Sequence, residues 1–293
     1  MSSRKELKAQ KKQERLAQEQ AAREQEAKNR RMRALGMIIA ATTITVIAIV
    51  IIAGANSSNQ TQPKPLAGTP NGAVDVKTML QGIPQQGQTL GNPKAPWHMV
   101  EFADLKCPVC KMFDVQVMPS VIERYVRSGK LKVDLKLLHF VGENAPDGTP
   151  GLTPGDSPAA AHFAVATQQQ NRYWNFAELF YFNQQDEAIR YAGTPDFLRW
   201  ISKGSGVDWS KAVKQQNSSW VNQTLAGYQR EFDQAGGDGT PTVLVGRSGG
   251  KLEKIDFKPI GFDNRDGFMA FIKERTKKTP SFRRDEFLRR RIA

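Results

Sequence analysis

The sequence predicts an α/β domain held behind a single N-terminal transmembrane helix, and three observations carry that expectation. An apolar, strand-like run from Trp97 to Phe102 leads into a helix-like run from Pro108 to Arg127, and a second strand-like run, Leu131–Phe140, follows. That order is a βαβ unit with parallel strands. The only two cysteines, Cys107 and Cys110, stand where the first strand gives way to the helix. Finally, Ala34 to Ala55 contains no charged residue, and Met37 to Ala53 is almost wholly apolar.

The apolar segment sets the organisation of the N-terminal part. About 20 residues at ~1.5 Å rise cross the ~30 Å hydrocarbon core of a bilayer. Lys28, Arg30, Arg31 and Arg33 lie just before it, and the next charge is Lys64. By the positive-inside rule residues 1–33 stay in the cytoplasm and the body is exported. Ala53-Gly54-Ala55 would suit a signal peptidase, but the run exceeds the ~7–15 apolar residues of a cleaved signal, so residues 34–55 read as an uncleaved signal anchor. Membrane lipid is therefore one expected partner. Residues 56–77, rich in Ser, Asn, Gln, Pro and Gly, read as a flexible linker.

Net charge is +13, which on its own would suggest nucleic acid. Location removes that reading. Residues 1–33 carry 11 Lys/Arg against 5 Glu, and residues 271–293 carry 9 against 3 acids. Between them stand 22 basic and 21 acidic side chains, so the body is close to neutral. A nucleic-acid-binding domain would instead place its basic residues on a folded face. Two cysteines three residues apart close too small a loop to staple a fold. The pair is there for chemistry.

The body is expected at residues 78–274, with a basic tail at 275–293. Phe113, Val117, Val121 and Tyr125 form an i, i+4 stripe on the helix after the dithiol. Pro119 should kink that helix, and Gly129 should cap it. A Gly/Pro-rich loop from Val141 to Asp156 opens a long helical stretch, about 141–236, with helices near 158–169, 173–183, 195–203, 208–216 and 219–234. Trp174, Phe176, Phe180 and Phe182 are expected in its core. Thr240-Pro241 then begins a buried strand, which turns at Arg247–Gly250 and returns through Leu252–Phe257. A final helix places Phe268, Phe271 and Ile272 on one face, capped at Asp263 or Asn264.

A β-α-β unit with Cys-X-X-Cys at the helix start, followed late in the chain by a hairpin and helix, resembles a thioredoxin fold. The helical insertion and the phrases LGNPKAPWHMVEFADLKCPVC, NRYWNFAELF and GDGTPTVLV resemble the DsbA-like thiol–disulfide oxidoreductases, in particular the membrane-anchored bacterial members. The resemblance spans roughly residues 78–274. It implies catalysis by Cys107 and Cys110, with Thr240 and Pro241 presenting backbone to a substrate peptide and Pro108 and Val109 tuning the couple. It places a buried acid for proton transfer at Glu101, with Asp104 a lesser candidate. It implies exported proteins with reduced cysteines as substrates, and a membrane oxidase of the DsbB or vitamin K epoxide reductase-like kind as reoxidant. No cofactor or metal is expected. The expected function is oxidation of cysteine pairs in exported proteins; because Pro108-Val109 lacks the histidine of the most oxidising members, the alternatives are a reductase or isomerase with the same site, or a tethered binding or chaperone module without turnover.

The expected chemistry follows from position. Exchange needs a thiolate, and a helix N-terminus offers unpaired N–H groups and the positive end of a dipole. Cys107 sits there, with Lys106 and Lys111 nearby as possible additional charges. Cys110, one turn in, should be the more buried, resolving thiol. His98, His139 and His162 match no familiar zinc spacing with the cysteines.

Overall fold

The computed structural model describes residues 64, 66–140 and 156–277. The expected cytoplasmic segment, the expected membrane span at 34–55, the linker before residue 64, the loop at 141–155 and the tail after residue 277 lie outside the described residues. Among the described residues no helix is long and apolar enough to cross a membrane.

The centre is a six-stranded sheet in the order β1-β2-β4-β3-β5-β6. Its strands are β1 (Gln85–Gln86), β2 (Thr89–Leu90), β3 (Trp97–Asp104), β4 (Leu131–Leu138), β5 (Thr242–Arg247) and β6 (Leu252–Lys254). β3 and β4 run parallel, in register from Trp97↔Leu131 to Asp104↔Leu138, as a βαβ unit requires. β5 lies antiparallel on the other side of β3 and pairs in turn with β6. The two central strands are buried at almost every position, as strands covered on both faces must be. Two of the three charged residues that give β4 its alternating pattern, Asp134 and Lys136, are buried too. Lys136 pairs with Glu231, and Asp134 accepts from Thr89 Oγ1 at 2.6 Å and lies 3.1 Å from His98.

The helix after the dithiol breaks where proline predicts. α2 (Pro108–Gln116) ends before a short helical turn, α3 (Met118–Val121), with Pro119 in its first turn, where no N–H is needed. A π-helical turn, Ile122–Val126, follows, and Gly129 at φ 70° ends the element. The helical insertion contains α4 (Ser157–Ala166), α5 (Tyr173–Phe182), α6 (Pro195–Ser205), α7 (Trp209–Gln215) and α8 (Ser219–Gln234). Thr194, Asp208 and Ser218 cap the last three by accepting from the N–H of Phe197, Lys211 and Val221. α5 is apolar on nearly all sides because it is enclosed by α2, α4, α6 and α1 (Ala73–Leu80). Trp174, Phe176 and Phe180 are fully buried there, and Phe182 is half-buried.

Three boundaries differ from the sequence expectation. α1 begins inside the predicted linker: Val76 and Leu80 are buried, and the chain before them is docked by Trp200 Nε1 donating to Gly68 O at 2.9 Å. The β1–β2 hairpin went unanticipated, since two-residue strands carry no periodicity. The last helix, α9 (Arg265–Lys277), runs three residues past the expected end of the body, with Asn264 Oδ1 accepting from Gly267 N at 2.9 Å.

Candidate active site

Cys107 occupies the N-cap of α2 in an extended conformation (φ −69°, ψ 119°), and Pro108 fills the first helical position. Proline is favoured there because its missing N–H would have had no partner. Cys110 lies one turn inside. Both thiols are reduced; Cys110 is fully buried and Cys107 is 7% exposed. Asp104 N donates to Cys110 Sγ at 3.5 Å. Cys107 Sγ donates to Thr240 O at 3.3 Å, across a cis Thr240–Pro241 bond that leads into β5. A groove of about 460 Å³, lined by Pro241, Ile255, Phe257 and Phe262 together with charged residues such as Asp238 and Lys258, opens beside this proline.

The surroundings separate the two thiols. Cys107 is lowered from 9.0 to about 7, chiefly by a hydrogen bond from the Cys110 thiol. The Thr240 side chain and the N–H groups of Cys110 and Val109 assist, against the opposing effect of burial. Burial pushes Cys110 well above 9.0, and the charges of Cys107 and Glu101 push in the same direction. Pro108 is exposed and Val109 half-buried, and neither side chain offers the sulfur a hydrogen-bond donor. Iodoacetamide alkylation of the reduced protein should therefore titrate at Cys107 with a midpoint near pH 7. In Cys110→Ala the midpoint should move up, because the largest stabilising donor is gone; an unmoved midpoint would show that the helix N-terminus alone sets it.

Glu101 stands six residues before Cys107 on β3 and is fully buried. Two further acids join it that sequence reasoning missed. Asp114 lies one turn beyond Cys110 on α2, and Glu178 projects from α5; each is at most 1% exposed. None of their six carboxyl oxygens has a hydrogen-bond donor among the described residues. Burial raises Glu101 from 4.5 to about 8, the neighbouring Asp114 carboxyl pulls it back, and the charge at Cys107 adds to the rise. Burial likewise pushes Asp114 and Glu178 well above the usual carboxylate range, with the neighbouring acids adding repulsion. The signals were legible in principle: Asp114 adjoins Phe113 of the core stripe, and Glu178 is the one acid in YWNFAELFYF.

Asp104 has a different role. Its Oδ1 accepts from Lys106 N at 2.8 Å and Ser157 Oγ at 2.6 Å, which ties the end of β3 to the start of α4. Nor do the flanking lysines lead in stabilising the thiolate. Lys106 Nζ is buried against Asp156 Oδ1 at 2.7 Å and Ile189 O at 3.1 Å, while Lys111 Nζ donates to Gln184 O at 2.9 Å. Gln184, also missed, donates to Leu105 O at 2.7 Å and Cys107 O at 3.1 Å and so fixes the loop entering α2. The histidines are occupied elsewhere; His162 Nδ1 sits 2.8 Å from Pro158 O, for example. No set of three His, Cys, Asp or Glu residues among the described residues is arranged to hold a metal ion.

Known proteins share this fold. A family model described as Thioredoxin matches residues 85–255, more than half of the chain. A relative named "Probable disulfide bond formation protein D", from Bacillus cereus, is 27% identical over 232 residues, covering 78% of this chain and 94% of the relative. The crystal structure of oxidised BdbD from Bacillus subtilis superposes with a TM-score of 0.53 at 20% identity, covering 73% of this chain and all of that one. A variant of alpha-DsbA1 from Wolbachia pipientis gives 0.50 at 18% identity, over 69% of this chain and 96% of that one. With its dithiol at the N-terminus of α2 and the helical insertion of the DsbA-like members, the chain belongs to the thioredoxin family and is a thiol–disulfide oxidoreductase.

Proposed function

We propose that the protein oxidises cysteine pairs of exported proteins, acting from a membrane anchor with its catalytic domain outside the cytoplasm. The observation that carries thiol–disulfide exchange is the asymmetry of the pair, an outer Cys107 held near neutrality and an inner Cys110 that favours its thiol; it does not set the direction of electron flow. The names of the relatives, which refer to disulfide bond formation, and the uncharged run at residues 34–55 with its basic N-terminal flank support oxidation from a membrane anchor.

The cycle starts from the Cys107–Cys110 disulfide. A substrate thiolate attacks Cys107 Sγ, the S–S bond breaks, and Cys110 leaves with the electron pair and takes up a proton. Glu101, buried beside the pair and protonated at neutral pH, is the donor. The second substrate thiol, as thiolate, then attacks the substrate sulfur of the mixed disulfide, and Cys107 leaves as thiolate. The substrate gains a disulfide and the enzyme holds two electrons. Returning the dithiol to the disulfide needs an acceptor, for which a membrane oxidase of the DsbB or vitamin K epoxide reductase-like kind is the proposed partner. The groove beside Pro241, which mixes apolar and charged residues, offers a substrate peptide a place near the Thr240 carbonyl that Cys107 contacts.

The test is a trap. Cys110→Ala, expressed in the native host, should accumulate mixed disulfides between Cys107 and exported proteins, released by reductant. Absence of such adducts would favour a binding module without turnover. A second reading, reductase or isomerase, is favoured by one observation: Cys107 near 7 matches thioredoxin (about 7) more closely than the most oxidising members (about 3.5). The reduction potential separates the two. A value toward −120 mV supports the oxidase, and one near −270 mV supports the reductase.

A further inference from the structure

We propose that Glu178, supplied by the inserted helical subdomain, shares the dithiol's proton with Glu101 and Asp114, so that three carboxyls from three elements act as one proton store for Cys110. This rests on the exchange reading above and extends it to a residue outside the βαβ unit.

The argument begins with the missing donors. A buried carboxylate is tolerated when paired or richly hydrogen-bonded, and these three are neither. Glu101 comes from β3, Asp114 from α2 and Glu178 from α5, which packs directly on α2. The groups that can satisfy their oxygens are protons on the carboxyls themselves. Once one acid is protonated it becomes a donor to its neighbour, and the pair shares what neither could hold alone.

The titratable groups around the cluster come from the same elements. Cys107 and Cys110 face it from α2, and Asp104 stands at the end of β3. Tyr173 and Tyr181 lie on α5 itself; both are buried, and Tyr181 OH donates to Asp104 O at 3.4 Å. The other helices against α5 bring no charge inward. Asp75 and Lys77 on α1 and Asp196, Arg199 and Lys203 on α6 are exposed, and His162 on α4 is turned to Pro158 and Asn222.

The proton step balances within this set. When Cys110 leaves as thiolate, Glu101 transfers its proton to the sulfur, giving Cys110 thiol and Glu101 carboxylate. Protonated Asp114 then hydrogen-bonds the new carboxylate, and the remaining negative charge is shared over the three carboxyls, Glu178 included. On reoxidation the proton returns from Cys110 to the cluster. Glu178 touches no reacting sulfur; it is a positioning residue acting through Glu101 and Asp114.

The test is Glu178→Gln in the full chain, read as the pH dependence of the Cys107–Cys110 reduction potential between about pH 5 and 9. Gln keeps the shape and cannot ionise, so repulsion on Glu101 and Asp114 falls. The inflection attributable to the cluster should move down by about one pH unit. A reduced-minus-oxidised infrared difference spectrum of the wild type should also show protonated carboxyl bands at neutral pH. An unmoved inflection reduces Glu178 to a packing residue, as does a wild-type spectrum without those bands; the spectrum decides the matter if the variant fails to fold. Failure of the Cys110→Ala trap would instead remove the exchange reading, so the two failures are distinguishable.

Discussion

Glu101→Gln should raise folding stability at pH 7 by roughly 3 kcal/mol and slow the release of Cys110 by at least ~10²-fold. The stability gain follows from linkage. Glu101 holds its proton up to about pH 8 in the folded state, against 4.5 for the ordinary carboxyl. Between those values the folded chain binds a proton that the unfolded chain has lost, so stability falls as pH rises through this window and levels off above it. Each pH unit is worth ~1.4 kcal/mol, which gives roughly 3 kcal/mol by pH 7. Gln has the same shape, does not ionise and can donate to Asp114. The reduced variant should therefore show a shallower decline in denaturant midpoint from pH 5 to 8 than the wild type. The kinetic cost arises because Cys110 is fully buried and would lose the protonated carboxyl proposed to supply its proton. Parallel pH–stability curves for the two proteins would show that Glu101 is ionised at neutral pH, and the proton-donor role would go with it.

That a buried acid can destabilise the fold and serve the site explains which features were legible in the sequence. The dithiol, the parallel strand pair and Thr240-Pro241 depend on local pattern, and all appear where the sequence places them. The helices of the insertion match their expected spans to within a few residues, because Thr194, Asp208 and Ser218 mark their starts. The failures concern residues whose surroundings come from distant parts of the chain. Asp114 and Glu178 read as ordinary helix acids until α5 is packed on α2. Lys106 reads as a charge beside Cys107 until the chain fifty residues on brings Asp156 to it. The segment before residue 78 looks like a tether by composition, yet α1 is fixed by packing Val76 and Leu80 into the core.

Lys106→Met should cost about 3–5 kcal/mol and move the alkylation midpoint of Cys107 upward. Lys106 is fully buried, with Nζ bonded to Asp156 and Ile189 O and lying 5.7 Å from the Tyr191 ring centroid. Removing one partner of a buried ion pair leaves the other charged and dry, and this penalty, more than the worth of the pair, sets the magnitude. Asp156 Oδ2 would keep the N–H of Tyr191 at 2.7 Å, but Oδ1 would lose its cation. The double variant Lys106→Met, Asp156→Asn removes both charges and should recover much of the loss, giving a coupling energy of about 2 kcal/mol in a double-mutant cycle. The effect on Cys107 comes through the backbone: Leu105, Lys106 and Cys107 form one loop, pinned by Lys106 on one side and by Gln184 on the other. Freeing one side loosens the N–H groups of Val109 and Cys110 and the Thr240 side chain, which favour the thiolate. Denaturant melts and alkylation profiles of the three variants separate these effects. A single variant that melts within 1 kcal/mol of wild type would mean that the Lys106–Asp156 pair does not clamp the catalytic loop to the insertion.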